Sequence, residues 1–324
     1  MAKSCVVTGG AGFIGSHLVR RLVKSGVKVK VIDNLTSGTL DNIEGIEGPV
    51  DFTGGDIRDL DCLRSVLAGS QVVFHQAALT SVPASVENPV LTNEVNVTGT
   101  LNVLAAARQC GVRRVVMASS SAVYGNSPVL PKSEDHILEP MSPYAISKYV
   151  GEMYSVFFSR FQGVETVCLR YFNVYGPRQN PDSEYAAVIP IFISQMLSGK
   201  TPVIYGDGHQ SRDFVHVDDI VTANLLAATV ENVSGEVFNI AAGASFTLNQ
   251  LVDILNQVLG TQIKARYEPD RIGDVKNSRA SIEEARRVLG YAPSINFEEG
   301  LRRTVEWYAV KNRVSRSLSA ERWE

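Results

Sequence analysis

Tyr144 and Lys148 stand four residues apart in SPYAISKYVGEM, where Ser142 is placed to cap a helix and Pro143 to open it. That spacing brings both side chains to one helix face, so the lysine ammonium can approach the phenol. A free tyrosine titrates near a pKa of about 10 and is a poor base at neutral pH. A cation beside the phenolate lowers that value toward the useful range. Ser120, at the carboxyl end of the strand-like run that includes Val112 to Ala118, can hydrogen-bond the same substrate hydroxyl. Together the three side chains describe proton removal from an alcohol. Tyrosine and lysine four apart also recur as ordinary surface pairs, and this pair rises above that background because a nucleotide-binding pattern precedes it.

That pattern opens the chain. Cys5, Val6 and Val7 read as a buried strand that stops at Thr8-Gly9-Gly10. A helix starting near Gly12 would put Ile14, Leu18, Val19 and Leu22 on one side. Strand, glycine turn and helix set free backbone N–H groups against a pyrophosphate. Gly9, Gly12 and Gly15 follow G-x-x-G-x-x-G, which provides a tight turn, room for the ligand and close approach of helix to strand. The next strand, Val27 to Ile32, ends in Asp33-Asn34, about twenty residues on, where a carboxylate accepts both ribose hydroxyls and repels a 2′-phosphate. The predicted cofactor is therefore NAD rather than NADP, and its oxidised ring would assist Lys148 in stabilising a phenolate.

Further along, Asp56 could accept the adenine amine while Ile57 packs on the ring, unless Asp56 merely caps the helix that follows. Small Ala77 and Ala78, after the strand Gln71 to Phe74, would let the cofactor approach the backbone. His75 reads as a packed strand-end side chain, since no other metal ligand has suitable spacing, and no metal is expected. Ser81 to Ser85 is predicted as a loop over the cofactor, and residues 88–109 as one long helix.

Composition limits the alternatives. The chain has 324 residues and a formal charge of -3, so no basic excess points to nucleic acid. There is no run of about 18 apolar residues, so no membrane span is expected. Cys5, Cys62, Cys110 and Cys168 form no C-x-x-C pair and read as reduced residues of a cytoplasmic protein; MAKSCVVTGG does not read as a signal peptide.

Alternating strands and helices predict an α/β fold, a doubly wound parallel sheet with a smaller mixed α/β substrate domain. The sheet domain is expected over 1–176 and again over 214–243, with substrate segments over 177–213 and 244–296 and a C-terminal helix and tail over 297–324. The site would lie in the crevice between the two domains.

Several motifs occur together: TGGAGFIGS at 8–16, DN at 33–34, GDIRD at 55–59, HQAA at 75–78, SSSAVYG at 119–125, YAISK at 144–148 and RYFNVYGPRQ at 170–179. With them the chain resembles the extended short-chain dehydrogenase/reductase family, in its sugar-nucleotide epimerase branch. The resemblance implies tightly held NAD, a tyrosine base assisted by lysine and serine, and a 4-keto sugar that turns over before hydride returns. It adds Phe13, Ile14, Asn34, Gln76, Asn96 and Tyr171 to the cofactor set. For the UDP-sugar it implies Ser81, Ser121, Asn173, Ala187 and Val188, with Arg212 and Arg271 on the diphosphate and Asp274 on the ribose.

Dehydratases and decarboxylases of this family resemble one another in carrying a glutamate immediately before Val-Tyr-Gly, where this chain has Ser121 and Ala122. Alanine exchanges no proton, so elimination loses its agent while epimerisation loses nothing. Ser278 stands where glucose/galactose-restricted relatives resemble one another in having a tyrosine, and it leaves room for an N-acetyl group. The expected reaction is reversible interconversion of UDP-N-acetylglucosamine and UDP-N-acetylgalactosamine, with UDP-glucose and UDP-galactose as a second pair. UDP-glucuronate epimerisation is the alternative, followed by dehydration or decarboxylation, or by NAD binding without catalysis. Surplus apolar residues on helices 88–109 and 143–161, including Met153, Phe157 and Phe158, predict a homodimer through a four-helix interface.

Overall fold

Apolar runs bounded by turns become strands, and runs with helical periodicity become helices, in the computed structural model, which describes residues 2–181, 187–270 and 276–320. The first half contains β1 (Ser4–Thr8), α1 (Phe13–Lys24), β2 (Lys28–Asp33), β3 (Val50–Gly54), α2 (Leu60–Leu67) and β4 (Val72–His75). Next come α3 (Val82–Glu87), α4 (Pro89–Asn93), a π turn (Glu94–Thr98), α5 (Gly99–Gln109), β5 (Arg114–Ser120), a 3-10 turn (Ser121–Tyr124) and α6 (Pro143–Phe161). The remainder holds β6 (Glu165–Tyr171), β7 (Asn173–Tyr175), α7 (Val188–Leu197), β8 (Val203–Tyr205), β9 (Ser211–Arg212), β10 (Phe214–His216) and α8 (Val217–Thr229). It closes with β11 (Glu236–Ile240), β12 (Phe246–Thr247), α9 (Leu248–Leu259), β13 (Arg266–Glu268), a second π turn (Ala285–Leu289) and α10 (Phe297–Ala320).

Seven parallel strands form one sheet in the order β11-β6-β5-β4-β1-β2-β3. The order reverses between β1 and β4, and a crevice opens at the carboxyl ends of such neighbours. One face buries Leu18, Leu22, Ile220 and Ala227 from α1 and α8; the other buries Leu63, Leu67, Val103 and Phe158 from α2, α5 and α6. This is the doubly wound α/β fold expected from the alternation. A separate core gathers Phe192, Ile193, Met196, Ile204, Phe214, Leu251, Leu255, Phe297, Leu301 and Val305. Among the described residues, no helix is long and apolar enough to cross a membrane, and no group of His, Cys, Asp or Glu could hold a metal ion.

Four expectations need correction. Residues 82–87 are a helix rather than a loop, because Ser81 Oγ accepts from Ala84 N and Pro83 sits in the first turn. The long helix of 88–109 contains a π turn, a hydrogen-bond shift that apolar spacing does not reveal. The chain does not rejoin the main sheet at Val215: among the described residues β10 pairs with β7 alone, and the return is made by β11. Ile282, Ala285 and Leu289, placed with the smaller domain, pack on the main core, whereas the C-terminal helix packs its Phe297, Leu301 and Val305 in the separate one.

Candidate active site

The glycine turn is built around backbone contact. Gly9 has φ +67°, and a Cβ there would lie 2.7 Å from Ala77 N. A Cβ on Gly15 would lie 2.1 Å from Gly9 O, so α1 is pressed against the turn and only hydrogen fits. Gly12 precedes α1 with no side-chain cap, which leaves first-turn N–H groups, at Phe13 and Ile14 among others, for an anion. Asp33 is 8% exposed. Its two oxygens accept from Ala11 N at 2.9 Å and Leu35 N at 2.8 Å, an orientation that keeps a carboxylate at the tip of β2 beside the glycines. A glycine cradle that a Cβ would fill and a buried carboxylate beside it fit a dinucleotide.

Asp56 is bridged by Arg58, which donates from Nε at 3.0 Å and Nη2 at 2.8 Å, and by Asn34 Nδ2 at 3.0 Å. Hydrogen bonding to Arg58 holds its carboxyl down at about 2. The helix cap is Asp59, whose carboxylate accepts from Asp61 N and Cys62 N, so capping is not the role of Asp56. Ile57 is buried. Ala77 lies over Gly9 with its N–H on Thr8 Oγ1, and Ala78 follows it beyond the end of β4. His75 is buried between the hydroxyls of Thr8 and Thr100 and is pushed down to about 3 by burial.

Three predicted cofactor residues are engaged with the protein itself. Asn96, turned inward in the π turn, exchanges hydrogen bonds with both backbone groups of Leu79 and donates to Ser147 Oγ. Both of its N–H donors are spent, so it pins the segment after β4 to α6. Gln76 and Tyr171 form a buried cluster with Asn224 of α8: Asn224 Nδ2 donates to the Tyr171 hydroxyl at 2.7 Å, and Gln76 Nε2 donates to Asn224 Oδ1 at 3.1 Å. Asn224 was not read from the sequence, because a polar residue inside an apolar helix has no local signature.

Tyr144 and Lys148 share the buried side of α6. Lys148 Nζ stands 5.9 Å from the Tyr144 ring centroid and donates to Ala118 O at 2.9 Å. Ser120 Oγ accepts from Ala122 N at 3.2 Å, and Ser121 and Ala122 sit in the 3-10 turn just beyond it. Burial lowers Lys148 to about 8. Burial also raises the Tyr144 phenol above its ordinary value, with a hydrogen bond to Ser120 pulling the other way. Removal from water is thus the larger effect on the phenol and the Ser120 hydrogen bond the smaller.

A cavity of about 560 Å³ lies over the separate core, lined by Asn173, Ala187, Val188 and Arg212 from the predicted substrate set. Gln195, Tyr205 and Gln210 also line it and were not anticipated. Asn173 Oδ1 and Gln195 Oε1 are buried without a hydrogen-bond partner among the described residues. Gln195 lies seven residues after Val188, two helical turns along one face, a signal that the sequence did contain. Gln210 Nε2 donates to Tyr205 O at 2.6 Å and fixes that strand edge. Ser278 N donates to Ser211 O at 3.0 Å, which puts Ser278 beside the Arg212 wall. Arg271 and Asp274 lie outside the described residues. Ser81 caps α3, its oxygen engaged by Ala84 N.

A model of the "NAD dependent epimerase/dehydratase family" matches residues 5–241. A putative UDP-glucose 4-epimerase of Methanocaldococcus jannaschii is 44% identical over 311 residues, covering 95% of this chain and 99% of the relative. The solved UDP-N-acetylglucosamine 4-epimerase of Methanobrevibacter ruminantium M1, in complex with UDP-N-acetylmuramic acid, superposes with a TM-score of 0.92 at 43% identity over 95% of this chain and 99% of that one. A UDP-glucuronate 4-epimerase of Thermodesulfobacterium geofontis is 36% identical over 93% of this chain and 95% of the relative.

Proposed function

We propose, from the premise that this chain belongs to the NAD-dependent epimerase/dehydratase family, that it is a UDP-sugar 4-epimerase acting on UDP-N-acetylglucosamine and UDP-N-acetylgalactosamine. The observation that carries the reaction type is the composition of the turn after Ser120. Ser121 and Ala122 offer no carboxylate there, and Glu152, the buried carboxylate nearest along α6, has both oxygens on Arg170. Among the described residues, proton exchange at the sugar thus falls to Tyr144, Ser120 and Lys148, which is enough for oxidation and re-reduction at C4 but not for elimination.

Gly9, Gly12, Gly15 and the first turn of α1 would hold the cofactor diphosphate, and Asp33 would hold the adenosine ribose. When bound, NAD supplies a reversible two-electron acceptor for the C4–H bond. Tyr144 Oη takes the 4-hydroxyl proton and later gives it back; Ser120 Oγ hydrogen-bonds the same oxygen. Lys148 keeps positive charge near the phenol below about pH 8. Arg212 lines the cavity, where its guanidinium would suit paired phosphate oxygens of the diphosphate. Asn173 offers an unpartnered buried acceptor in the same cavity.

Acceptance of the acetamido group is supported by Ser278, whose small side chain stands beside β9. Asn173, where glucuronate epimerases resemble one another in having threonine, disfavours that alternative. Purified protein incubated separately with UDP-N-acetylglucosamine, UDP-glucose and UDP-glucuronate, with products resolved by chromatography, tests the reading. Formation of the C4 epimer of the first is expected, and a dehydrated 4-keto product or no epimer overturns it. Ser278→Tyr is expected to abolish turnover of the acetamido sugar while sparing UDP-glucose; equal losses would defeat the steric account.

A homodimer belongs to the same reading. Val90, Leu91, Ile146, Met153, Phe157 and Phe161 are exposed on α4 and α6, whereas Phe158, counted earlier among the surplus, is buried in its own chain. Pairing these helices with a second copy would cover them, and a monomer at all concentrations in sedimentation would rule it out.

A further inference from the structure

Behind Lys148 lies a buried ionic cluster to which the reaction assigns no part. Tyr144, Lys148 and Glu152 follow one another at four-residue intervals along α6, and Lys148 and Glu152 are buried. Glu152 accepts two hydrogen bonds from Arg170 of β6, from Nε at 2.9 Å and Nη2 at 2.8 Å. Ser119, adjacent to Ser120 on β5, donates its hydroxyl to Glu152 Oε1. Arg170 Nη1 donates to the Tyr124 hydroxyl at 2.8 Å, and Tyr124 in turn donates to Asn239 Oδ1 at 2.7 Å. One carboxylate therefore ties the helix of Tyr144 to the strand of Ser120 and to the strand that ends at Tyr171.

We propose that Glu152 neutralises Arg170 behind Lys148, so that the lysine keeps its proton, and that with Ser119 this ion pair is a positioning group that holds α6 in register with Ser120. The inference rests on the epimerase reading above. The groups facing Lys148 leave the charge role to this pair. His75 of β4 is pushed down to about 3 and stays neutral; Cys168 of β6 is pushed up to about 12 by burial and stays neutral too. Tyr144 is raised by burial and uncharged before it acts. Glu134 lies beyond Arg170, with its carboxylate on Asn239 N. Glu152 and Arg170 are thus opposite charges that cancel, and removing either one leaves a buried charge without its partner.

The sign of each variant follows. Glu152→Gln leaves the Arg170 cation uncompensated, which disfavours a protonated Lys148. The alkaline limb of kcat should move down by about one pH unit, a tenfold loss of active enzyme above it. Arg170→Met leaves Glu152 uncompensated and should move the limb up. In the double variant the cluster is neutral again, so the limb returns toward its wild-type position although kcat stays below wild type. A cluster serving only as scaffold would lower kcat without moving the limb, and would do so most in the double variant.

Measured pH profiles of the four proteins, with UDP-N-acetylglucosamine as substrate and folding checked by circular dichroism, decide the matter. An unmoved limb in Glu152→Gln, or one that stays displaced in the double variant, overturns the inference. Should Glu152→Gln fail to fold, the upward displacement in Arg170→Met decides alone, and an unmoved or lowered limb overturns it. Absence of turnover in wild type would defeat the epimerase reading instead, so the two failures are distinguishable.

Discussion

The cofactor crevice and the substrate cavity are finished to different degrees. Around Gly9 and Gly15 backbone meets backbone with no space for a Cβ, and Asp33, Asn96 and Gln76 are already hydrogen-bonded into the protein. In the cavity, Asn173 and Gln195 present buried oxygens that the described residues do not satisfy. A buried polar atom without a partner costs about 1–3 kcal/mol, and it is tolerated where a ligand completes it. The difference is the one the proposed function calls for: a first region that would keep its ligand through the reaction and a second that would take and release one.

The largest expected effect lies at the proton carrier that both regions would serve. Tyr144→Phe removes the proton carrier, and kcat should fall by about 10²–10⁴-fold while NAD retention and UDP affinity stay as in wild type. A loss confined to KM would place the chemistry elsewhere. Gly15→Ala probes the crevice alone: its Cβ would meet Gly9 O at 2.1 Å, with an overpacking cost of about 1–3 kcal/mol. Calorimetry should show a lowered Tm and the purified variant should retain less NAD, with UDP binding unchanged; full NAD occupancy would mean the crevice is looser than its contacts indicate.

An acid titration sharpens the same half. His75 is depressed from 6.5 to about 3 in the fold, so its contribution is complete above the unfolded value and is lost as pH falls from about 6.5 toward 3. Denaturant unfolding should lose up to about 1.4 kcal/mol per pH unit from this group, and His75→Gln should flatten that part of the slope. An unchanged slope would mean His75 is accessible to water. The smallest effect belongs to the cavity. Gln195→Leu should weaken UDP binding by about 5–10-fold, the value of one hydrogen bond, while slightly stabilising the free protein, because an unsatisfied buried oxygen is removed. Unaltered UDP affinity in calorimetry would show that Gln195 does not meet the nucleotide.

Legibility in the sequence followed the same division. Gly9 to Gly15, Asp33 and the Tyr144–Lys148 pair each depend on a spacing within one strand, turn or helix, and local spacing survives folding. Asn224 and Glu152 were silent because their partners, Tyr171 and Arg170, lie 53 and 18 residues away. The tie of Asn96 to Leu79 is equally silent, since nothing local announces a π turn or a partner 17 residues away.

By itself, then, the sequence determined the alternation of strands and helices in the main sheet, the glycine turn and the side chains able to move a proton, because these follow from periodicity, sterics and residue chemistry at short range. Tertiary structure decided the balance at Tyr144, where burial outweighs the hydrogen bond to Ser120, and the completion of the cavity wall by Gln195, Tyr205 and Gln210. It also decided the pairing of Glu152 with Arg170 behind the lysine. Those outcomes depend on what the fold removes from water and on which distant groups it sets within a hydrogen bond of each other, quantities that no single stretch of chain contains.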